Sequence, residues 1–338
     1  MAKYIDLRDN YSKELLNVAS RYIKDGKLVI FPTETVYGIG ADGLNDKAVE
    51  NIFIAKGRAS DNPLILHVSS VDMINKIAYI ESKLEKKIIE AFFPGPLTIV
   101  LKKKDIVPGI VCANLDTVAV RMPENRIAHD LIELADTPIA APSANVSGRP
   151  SGTNIDDIYD ELGDKVDYII NGGDTNIGLE STVIRIINDE INILRPGKIT
   201  YDDLSKYGKV IIDSHVLGNI CENEKVLSPG MKYRHYAPKT KCLLIYGDEN
   251  DKLINKMKEF EGDNTLFITN KNNISLFNNA ISYGETLEDI SHNIFKILRS
   301  VDKYNKDLVI IEGVKAEGLG LAIMNRLIRA CSHNYIKI

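Results

Sequence analysis

Apolar side chains in the first part of the chain recur in several segments at the spacing of a helix. In residues 12–25 they fall on the positions of one helical face, with Ser12 as a possible N-cap and Gly26 as a possible stop. The pattern predicts a helix there. A second helix is predicted over 46–56, and further helices near 82–92 and 129–136.

Short apolar runs bounded by Pro, Gly, Asn and Asp alternate irregularly with these helices. Such runs are typical of buried strands. They occupy residues 28–31, 63–68, 98–104, 117–123, 138–145, 166–173, 181–187 and 191–197. The mixture favours an α/β or α+β sheet domain over an all-α or all-β one. We place this domain at residues 1–210.

A simpler α/β pattern begins after a segment rich in Pro, Gly, Tyr and Lys. That segment, 211–240, is predicted to be a linker, and 241–338 a second domain. Three apolar runs (241–248, 264–270 and 307–313) alternate with predicted helices over 249–260, 286–300 and 319–331. This order predicts a small three-layer, Rossmann-like unit with parallel strands. It has no G-x-G-x-x-G after its first strand, so we expect no dinucleotide site there.

Composition restricts the class of protein. The 338 residues carry a net charge of -5, and the acidic excess lies within 1–240, because 241–338 hold equal numbers of acidic and basic residues. A polybasic nucleic-acid binder is therefore excluded, and an anion would need a few placed cations. No apolar run approaches the roughly 18 residues of a membrane span, and the polar first residues lack a signal-peptide core. We expect a cytoplasmic protein.

Three segments carry candidate chemistry. Residues 32–40 place Thr35 in a Pro- and Gly-bounded loop, which is either an ordinary polar turn or a ligand loop. Residues 55–68 gather Lys56, Arg58, Asn62 and His67 where a helix passes into a strand; cations there equally suit the helix dipole. The third, 141–153, is rich in Ser and Gly, as in anion cradles.

Neither a known nucleophile nor a metal motif accompanies these segments. No P-loop, C-x-x-C or H-E-x-x-H string occurs, and no Ser/His/Asp order stands out. Four cations adjoin the predicted turns: Lys56, Arg58, Arg121 and Arg195. Arginines beside loops are commonly solvated, but together these four could hold a polyphosphate.

Several strings give the chain a resemblance to a known family. They are PTETVYGIG at 32–40, K-G-R at 56–58, NPL at 62–64 and SAN-x-SG-x-x-S at 143–151. Together they resemble the YrdC-domain family. With SPGMKYRHYAP as linker and GLGLAIMNRLIRA near the C-terminus, the chain resembles the longer, two-domain members of that family.

This resemblance implies a twisted mixed sheet and a nucleotidyl transfer. L-threonine, bicarbonate or CO2 and ATP would give L-threonylcarbamoyladenylate and pyrophosphate, with Mg²⁺ bound through the ATP phosphates. A partner complex would transfer the threonylcarbamoyl group to an adenosine next to the tRNA anticodon, and a weak contact with tRNA is allowed.

The resemblance also assigns residues. Lys56 and Arg58 would be catalytic. The threonine contacts fall on Thr35, His67, Arg121, Ala141 and Ser181. The ATP contacts fall on Arg58, Asn62, Thr117, Ser143, Ser151 and Arg195, with Arg234 and Tyr236 of the linker, which would act as a lid.

Two other functions stay open. One is a non-catalytic RNA-binding or ribosome-maturation module, against which the net charge of -5 argues. The other is carbamoyl transfer from a different donor, as in hydrogenase-maturation relatives, although the chain lacks their additional regions.

Overall fold

Helices and strands alternate throughout residues 2–216 and 236–338, the parts of the chain that this computed structural model describes. The strands of the first part are β1 (Lys3–Asp6), β2 (Val29–Phe31), β3 (Gly38–Asp42), β4 (Ile65–His67), β5 (Ala78–Tyr79), β6 (Leu97–Lys103), β7 (Thr117–Arg121), β8 (Ile139–Ala140), β9 (Tyr168–Asn171), β10 (Thr182–Ile187), β11 (Glu190–Arg195) and β12 (Val210–Ile212). Its helices are α1 (Lys13–Lys24), α2 (Asp46–Lys56), α3 (Val71–Ile77), α4 (Lys83–Phe92), α5 (Arg126–Ala135), α6 (Ile155–Leu162) and α7 (Tyr201–Ser205).

Local side-chain chemistry explains where the helices begin and end. Ser12 caps α1, as predicted, by accepting a hydrogen bond from the Leu15 amide. A capping box joins Ser82 and Glu85 at the start of α4. The predicted helix over 46–56 has the bounds of α2, which ends at Gly57 in a left-handed conformation (φ 60°, ψ 39°).

The first part forms one large mixed sheet. Its strand order is β1-β9-β2-β3-β8-β4-β7-β6-β10-β11-β12, with β5 paired to β6. Parallel pairs such as β4 with β7 stand beside antiparallel pairs such as β2 with β3. The main core lies between this sheet and its helices and draws all its buried residues from Leu7 to Val210.

The second part forms a smaller sheet of parallel strands in the order β15-β14-β16-β13-β17. These strands are β13 (Lys241–Tyr246), β14 (Thr265–Asn270), β15 (Ala280–Gly284), β16 (Leu308–Glu312) and β17 (Tyr335–Lys337), and the helices are α8 (Asn250–Lys258), α9 (Leu287–Ser300) and α10 (Leu319–Ala330). One core lies under α9 and α10, and another under α8.

The fold class predicted from the sequence is confirmed: a twisted mixed α/β sheet is followed by a smaller parallel three-layer unit. The three strands predicted in the second unit are present as β13, β14 and β16, whereas β15 and β17 were missed. The boundaries 1–210, 211–240 and 241–338 stay predictions, and most of the predicted linker, including Tyr233 and Arg234, lies outside the described residues. Within the described ranges every helix is too short or too polar to span a bilayer.

Candidate active site

A cavity with an open volume of about 740 Å³ lies at the ends of the central strands of the large sheet. Its wall comes from the turn between β2 and β3, the end of α2, the ends of β4, β7 and β11, and the segments 141–151 and 180–181. Tyr236, from the predicted linker, also contributes. Segments far apart in sequence therefore meet at one place.

The turn after β2 is held in shape by its own hydroxyl groups. The Thr33 hydroxyl donates to the Val36 carbonyl (2.6 Å) and hydrogen-bonds to the Thr35 hydroxyl (2.8 Å). Both threonine side chains are buried and line the cavity. Arg121 at the end of β7 donates from Nη1 to the Thr35 Oγ1 (2.8 Å), so the turn and the strand end are fixed together.

Glu34, in the same turn, forms a buried ion pair with Arg121. Its carboxylate lies 2.6 Å from Arg121 Nη2, and both side chains are almost entirely buried. Burial raises the pKa of Glu34, but the Arg121 charge and the hydrogen bonds to the carboxylate together outweigh it, and the net shift is downward. The sequence prediction named Arg121 and missed Glu34. The glutamate stands inside the PTETVY string, but nothing local indicates its partner.

His67 ends β4 directly beside Arg121, since the two residues are paired in the parallel register of β4 and β7. Its imidazole is buried and lines the cavity, and its Nδ1 has no hydrogen-bond partner among the residues that the structure describes. Burial and the Arg121 charge lower its pKa to about 3. At neutral pH the ring is uncharged and can hydrogen-bond a ligand without adding charge.

Lys56 is the last residue of α2, and its ammonium group is buried rather than solvated. Nζ donates to the carbonyl oxygens of Ser143 and Asn145. Burial, followed by the charge of Arg58, lowers the pKa of Lys56 well below its usual value. The lysine therefore joins α2 to the segment 143–151.

That segment, the third candidate of the sequence prediction, folds into a tight loop beside the β2–β3 turn. The Asn145 amide group donates to the carbonyls of Val146 (2.8 Å) and Arg149 (3.0 Å), and the Ser143 hydroxyl donates to Asn145 Oδ1 (2.6 Å). Gly152 leaves no room for a side chain, because a Cβ there would lie 2.6 Å from the Ala144 carbonyl oxygen. The loop presents hydroxyl and amide groups to the cavity, which suits an anion.

A second buried carboxylate lies on the opposite side. Glu180 accepts a hydrogen bond from the Ser151 hydroxyl (2.5 Å), and its other oxygen lies 3.0 Å from Arg326 Nε. Burial raises the pKa of Glu180, but Arg326 and Arg195 outweigh it and the net shift is downward. Glu180 and Arg326 were not among the predicted site residues.

Arg195, at the end of β11, donates from Nη2 to the Ser181 carbonyl (3.0 Å) and hydroxyl (3.2 Å). Burial lowers its pKa to about 10, so it stays protonated at neutral pH. The Ser181 hydroxyl also hydrogen-bonds to the Thr98 hydroxyl (2.7 Å). These contacts fix the Ser181 hydroxyl at the cavity wall.

The structure brings most of the predicted residues together. Those that line the cavity are Thr35, Lys56, Arg58, His67, Arg121, Ala141, Ser143, Ser151, Ser181, Arg195 and Tyr236. Two predicted ATP contacts do not line it. Asn62 is buried and offers its backbone carbonyl to Arg58 Nη2 (3.2 Å), and Thr117 begins β7 at the end opposite Arg121. Arg234 lies outside the described residues.

The donor set does not form a metal centre. Within the described ranges, no three His, Cys, Asp or Glu side chains come close enough to hold an ion. Glu180, which lines the cavity, and Glu34, in the adjoining β2–β3 turn, are each ion-paired with an arginine.

Family comparisons match both units of the chain. Residues 21–197 match the Sua5/YciO/YrdC family, whose description reads "Telomere recombination". Residues 199–332 match the family described as the C-terminal domain of threonylcarbamoyl-AMP synthase.

Full-length relatives show the same correspondence. The chain is 42% identical to the threonylcarbamoyl-AMP synthase of Pyrococcus abyssi over the whole length of both proteins. It is 36% identical to that of Bacillus subtilis, covering 99% of this chain and 98% of the relative. It also superimposes on the crystal structure of P. abyssi Sua5 complexed with L-threonine, with a TM-score of 0.93, 40% identity and 99% coverage of each chain.

Proposed function

Because the chain belongs to the Sua5/YciO/YrdC family, in its two-domain threonylcarbamoyl-AMP synthase form, we propose that the cavity makes L-threonylcarbamoyladenylate. The substrates are L-threonine, bicarbonate or CO2, and ATP. The observation that carries the assignment is the cavity itself, which joins an Arg121–His67 side to a side rich in hydroxyls and cations. The chain is thus an ATP-using transferase rather than an RNA-binding module.

The reaction needs no nucleophile from the protein. The threonine amine adds to CO2 to form a carbamate, and a carbamate oxygen then attacks the α-phosphorus of ATP. The bond to the β-phosphate breaks and pyrophosphate leaves; starting from bicarbonate, one water molecule is also released. Catalysis by this chain is positioning and charge neutralisation.

The threonine side of the cavity is formed by Thr35, His67, Arg121, Ala141 and Ser181. Arg121 holds the substrate carboxylate, since each terminal nitrogen carries a second hydrogen beyond its contact with Thr35 or Glu34. The Glu34 charge keeps this arginine from binding any anion indiscriminately. The neutral His67 ring hydrogen-bonds the amine or hydroxyl of the substrate.

The nucleotide side is formed by Arg58, Ser143, Ser151, Arg195 and Tyr236. The two arginines neutralise the phosphate oxygens as negative charge shifts toward the departing pyrophosphate. Asn62 and Thr117 do not line the cavity, and their contacts with ATP stay a prediction. Mg²⁺ enters with ATP as part of the substrate, in keeping with the ion-paired state of Glu34 and Glu180.

Lys56 lies between the two sides. In its protonated form Lys56 has three N–H groups; two donate to the carbonyls of Ser143 and Asn145, so one remains for the carbamate or a phosphate oxygen. It therefore both shapes the loop and contacts the reacting groups.

The product is a reactive acyl donor. We assign its consumption to a cytoplasmic transferase complex that moves the threonylcarbamoyl group to the adenosine beside the tRNA anticodon, with no more than a transient tRNA contact by this chain.

A pyrophosphate-release assay with each reactant omitted in turn tests the reaction. Release should require threonine, bicarbonate and ATP together. Lys56→Met, which keeps the length of the side chain and removes its charge, should lower the rate by on the order of tenfold or more. Release without threonine, or tight salt-sensitive RNA binding with no release, would overturn the assignment.

A further inference from the structure

Helix α10 of the C-terminal unit places one arginine against the cavity wall. Arg326 is completely buried; its Nε lies 3.0 Å from Glu180 and its Nη1 donates to the Pro196 carbonyl (2.7 Å). Glu180 and Pro196 are the chain neighbours of Ser181 and Arg195 in the proposed site. Arg326 thus contacts Glu180, a residue of the cavity wall that lies 146 positions away in sequence.

Glu180 links Arg326 to the nucleotide side, because it contacts both Arg326 and Ser151. One carboxylate oxygen accepts from the Ser151 hydroxyl (2.5 Å) and the other is paired with Arg326. Without Arg326, Glu180 would present an uncompensated negative charge to a cavity that must admit a triphosphate. Such a charge would repel the nucleotide and would draw Arg195 toward itself.

Helix α9 also contacts the segment 143–151, which contains Ser151. Arg299 donates from Nη2 to the Pro150 carbonyl (2.8 Å) and from Nη1 to Glu161 (2.8 Å). Glu161 in turn accepts from the Val146 amide (3.1 Å). The backbone that precedes Ser151 is therefore fixed by the C-terminal unit as well.

We propose that Arg326 is a positioning residue for ATP: it neutralises Glu180, so that Glu180 can orient the Ser151 hydroxyl and leave Arg195 to the phosphates. In this role Arg326 depends on the proposed function, since only a bound nucleotide makes these orientations matter. The nucleotide side of the site is then shared between both units, whereas the threonine side belongs to the first.

A contact that only holds the two units together should not affect ATP binding when it is removed. Lys198 and Glu288 also form an ion pair between the two units (3.2 Å), but their side chains are 39% and 68% exposed and neither lines the cavity. The pair supplies a matched control, because its loss removes a contact between the units without changing the charge of the site.

The test compares Arg326→Gln, Arg326→Lys, the double variant Arg326→Gln with Glu180→Gln, and the control Lys198→Gln. Equilibrium binding of ATP and of L-threonine is measured for each, alongside the KM values for pyrophosphate release. Arg326→Gln should weaken ATP binding by on the order of tenfold or more and leave threonine binding within about twofold. Arg326→Lys should recover part of the loss, and Lys198→Gln should match the wild type.

The double variant keeps the test decisive if Arg326→Gln does not fold, because it removes both charges of the Arg326–Glu180 pair. It should bind ATP more weakly than the wild type, since the Glu180 carboxylate no longer orients Ser151. Unchanged ATP binding in the folded variants, or equal losses for ATP and threonine, would overturn the positioning role. Wild-type protein that binds both ligands yet releases no pyrophosphate would overturn the proposed function alone.

Discussion

At the scale of single residues, the buried carboxylates in and beside the cavity are paired with arginines. The four cations that the sequence indicated all line it, but Arg121 is paired with Glu34, and Glu180 lies close to Arg195 and Arg326. A buried charge is tolerated only when a partner neutralises it. The residue types could be predicted from the motif strings, whereas the pairing partners could not, because they are chosen by distance in space.

The buried His67 predicts a pH dependence of stability. Its pKa is about 3 in the fold, against a usual value of 6.5, so the unfolded chain binds more protons between these values. Stability present above pH 6.5 is therefore lost as the pH falls, with a slope of at most about 1.4 kcal/mol per pH unit from this group. Glutamine cannot titrate, so His67→Gln should remove that slope.

Urea denaturation midpoints at about pH 7, 6 and 5 measure this effect, since few carboxylates titrate in that window. The midpoint of the wild type should fall more steeply than that of His67→Gln. Parallel dependence on pH in the two proteins would show that the imidazole is not buried in its neutral form.

At the scale of elements, the sequence predicts the long helices better than the short ones. Helices α1, α2, α4 and α9 were predicted to within about a residue or two of their ends, since each has a clear apolar face and a capping residue. The short helices α3 and α6 were missed. Their few turns carry too little periodicity to be recognised apart from the sheet they cover.

A substitution at Gly178, in the turn before Glu180, tests how closely this turn of the first unit approaches α9 of the second. Its φ is +78°, and a Cβ there would lie 2.4 Å from the Ser291 carbonyl oxygen of α9. Gly178→Ala should therefore destabilise the protein by about 2–4 kcal/mol, through left-handed strain and a backbone clash. It should also slow pyrophosphate release, because α9 must shift.

Gly57→Ala is the matched control for thermal denaturation. Its φ is +60°, but nothing lies within 4 Å of the added Cβ, so only the strain of about 1 kcal/mol remains. Equal melting temperatures for the two variants would contradict the close contact between the turn and α9.

At the scale of the whole molecule, the two units differ in how far each builds its core from its own residues. The main core of the first unit is drawn only from its own residues, whereas the core under α9 and α10 also includes Val36 and Leu179 of the first unit. The first unit therefore has the means to fold alone, and the second is completed by docking onto it.

Truncation after residue 212 should accordingly leave a folded first unit with impaired turnover. The fragment keeps every strand of the large sheet and loses the predicted lid, Tyr236 and Arg326. We expect circular dichroism of a folded α/β protein and pyrophosphate release reduced at least about tenfold. Full activity in the fragment would refute a role for the second unit in the site.

Adding Glu180→Gln to this fragment separates the two causes of the loss. If the exposed Glu180 charge matters, the substitution should restore part of the ATP affinity. No recovery would assign the loss to the lid and Tyr236 alone.

Local information determined much of this protein. Apolar periodicity, caps and turn residues specified the class of fold, the division into two units and the segments that carry chemistry, because these depend on residues close together in sequence. The tertiary structure alone decided that Lys56 is buried against the Ser143 and Asn145 carbonyls, that Glu34 compensates Arg121, and that Arg326 reaches Glu180. Those contacts join residues dozens to more than a hundred positions apart, and packing of the finished sheet brings them within hydrogen-bonding distance.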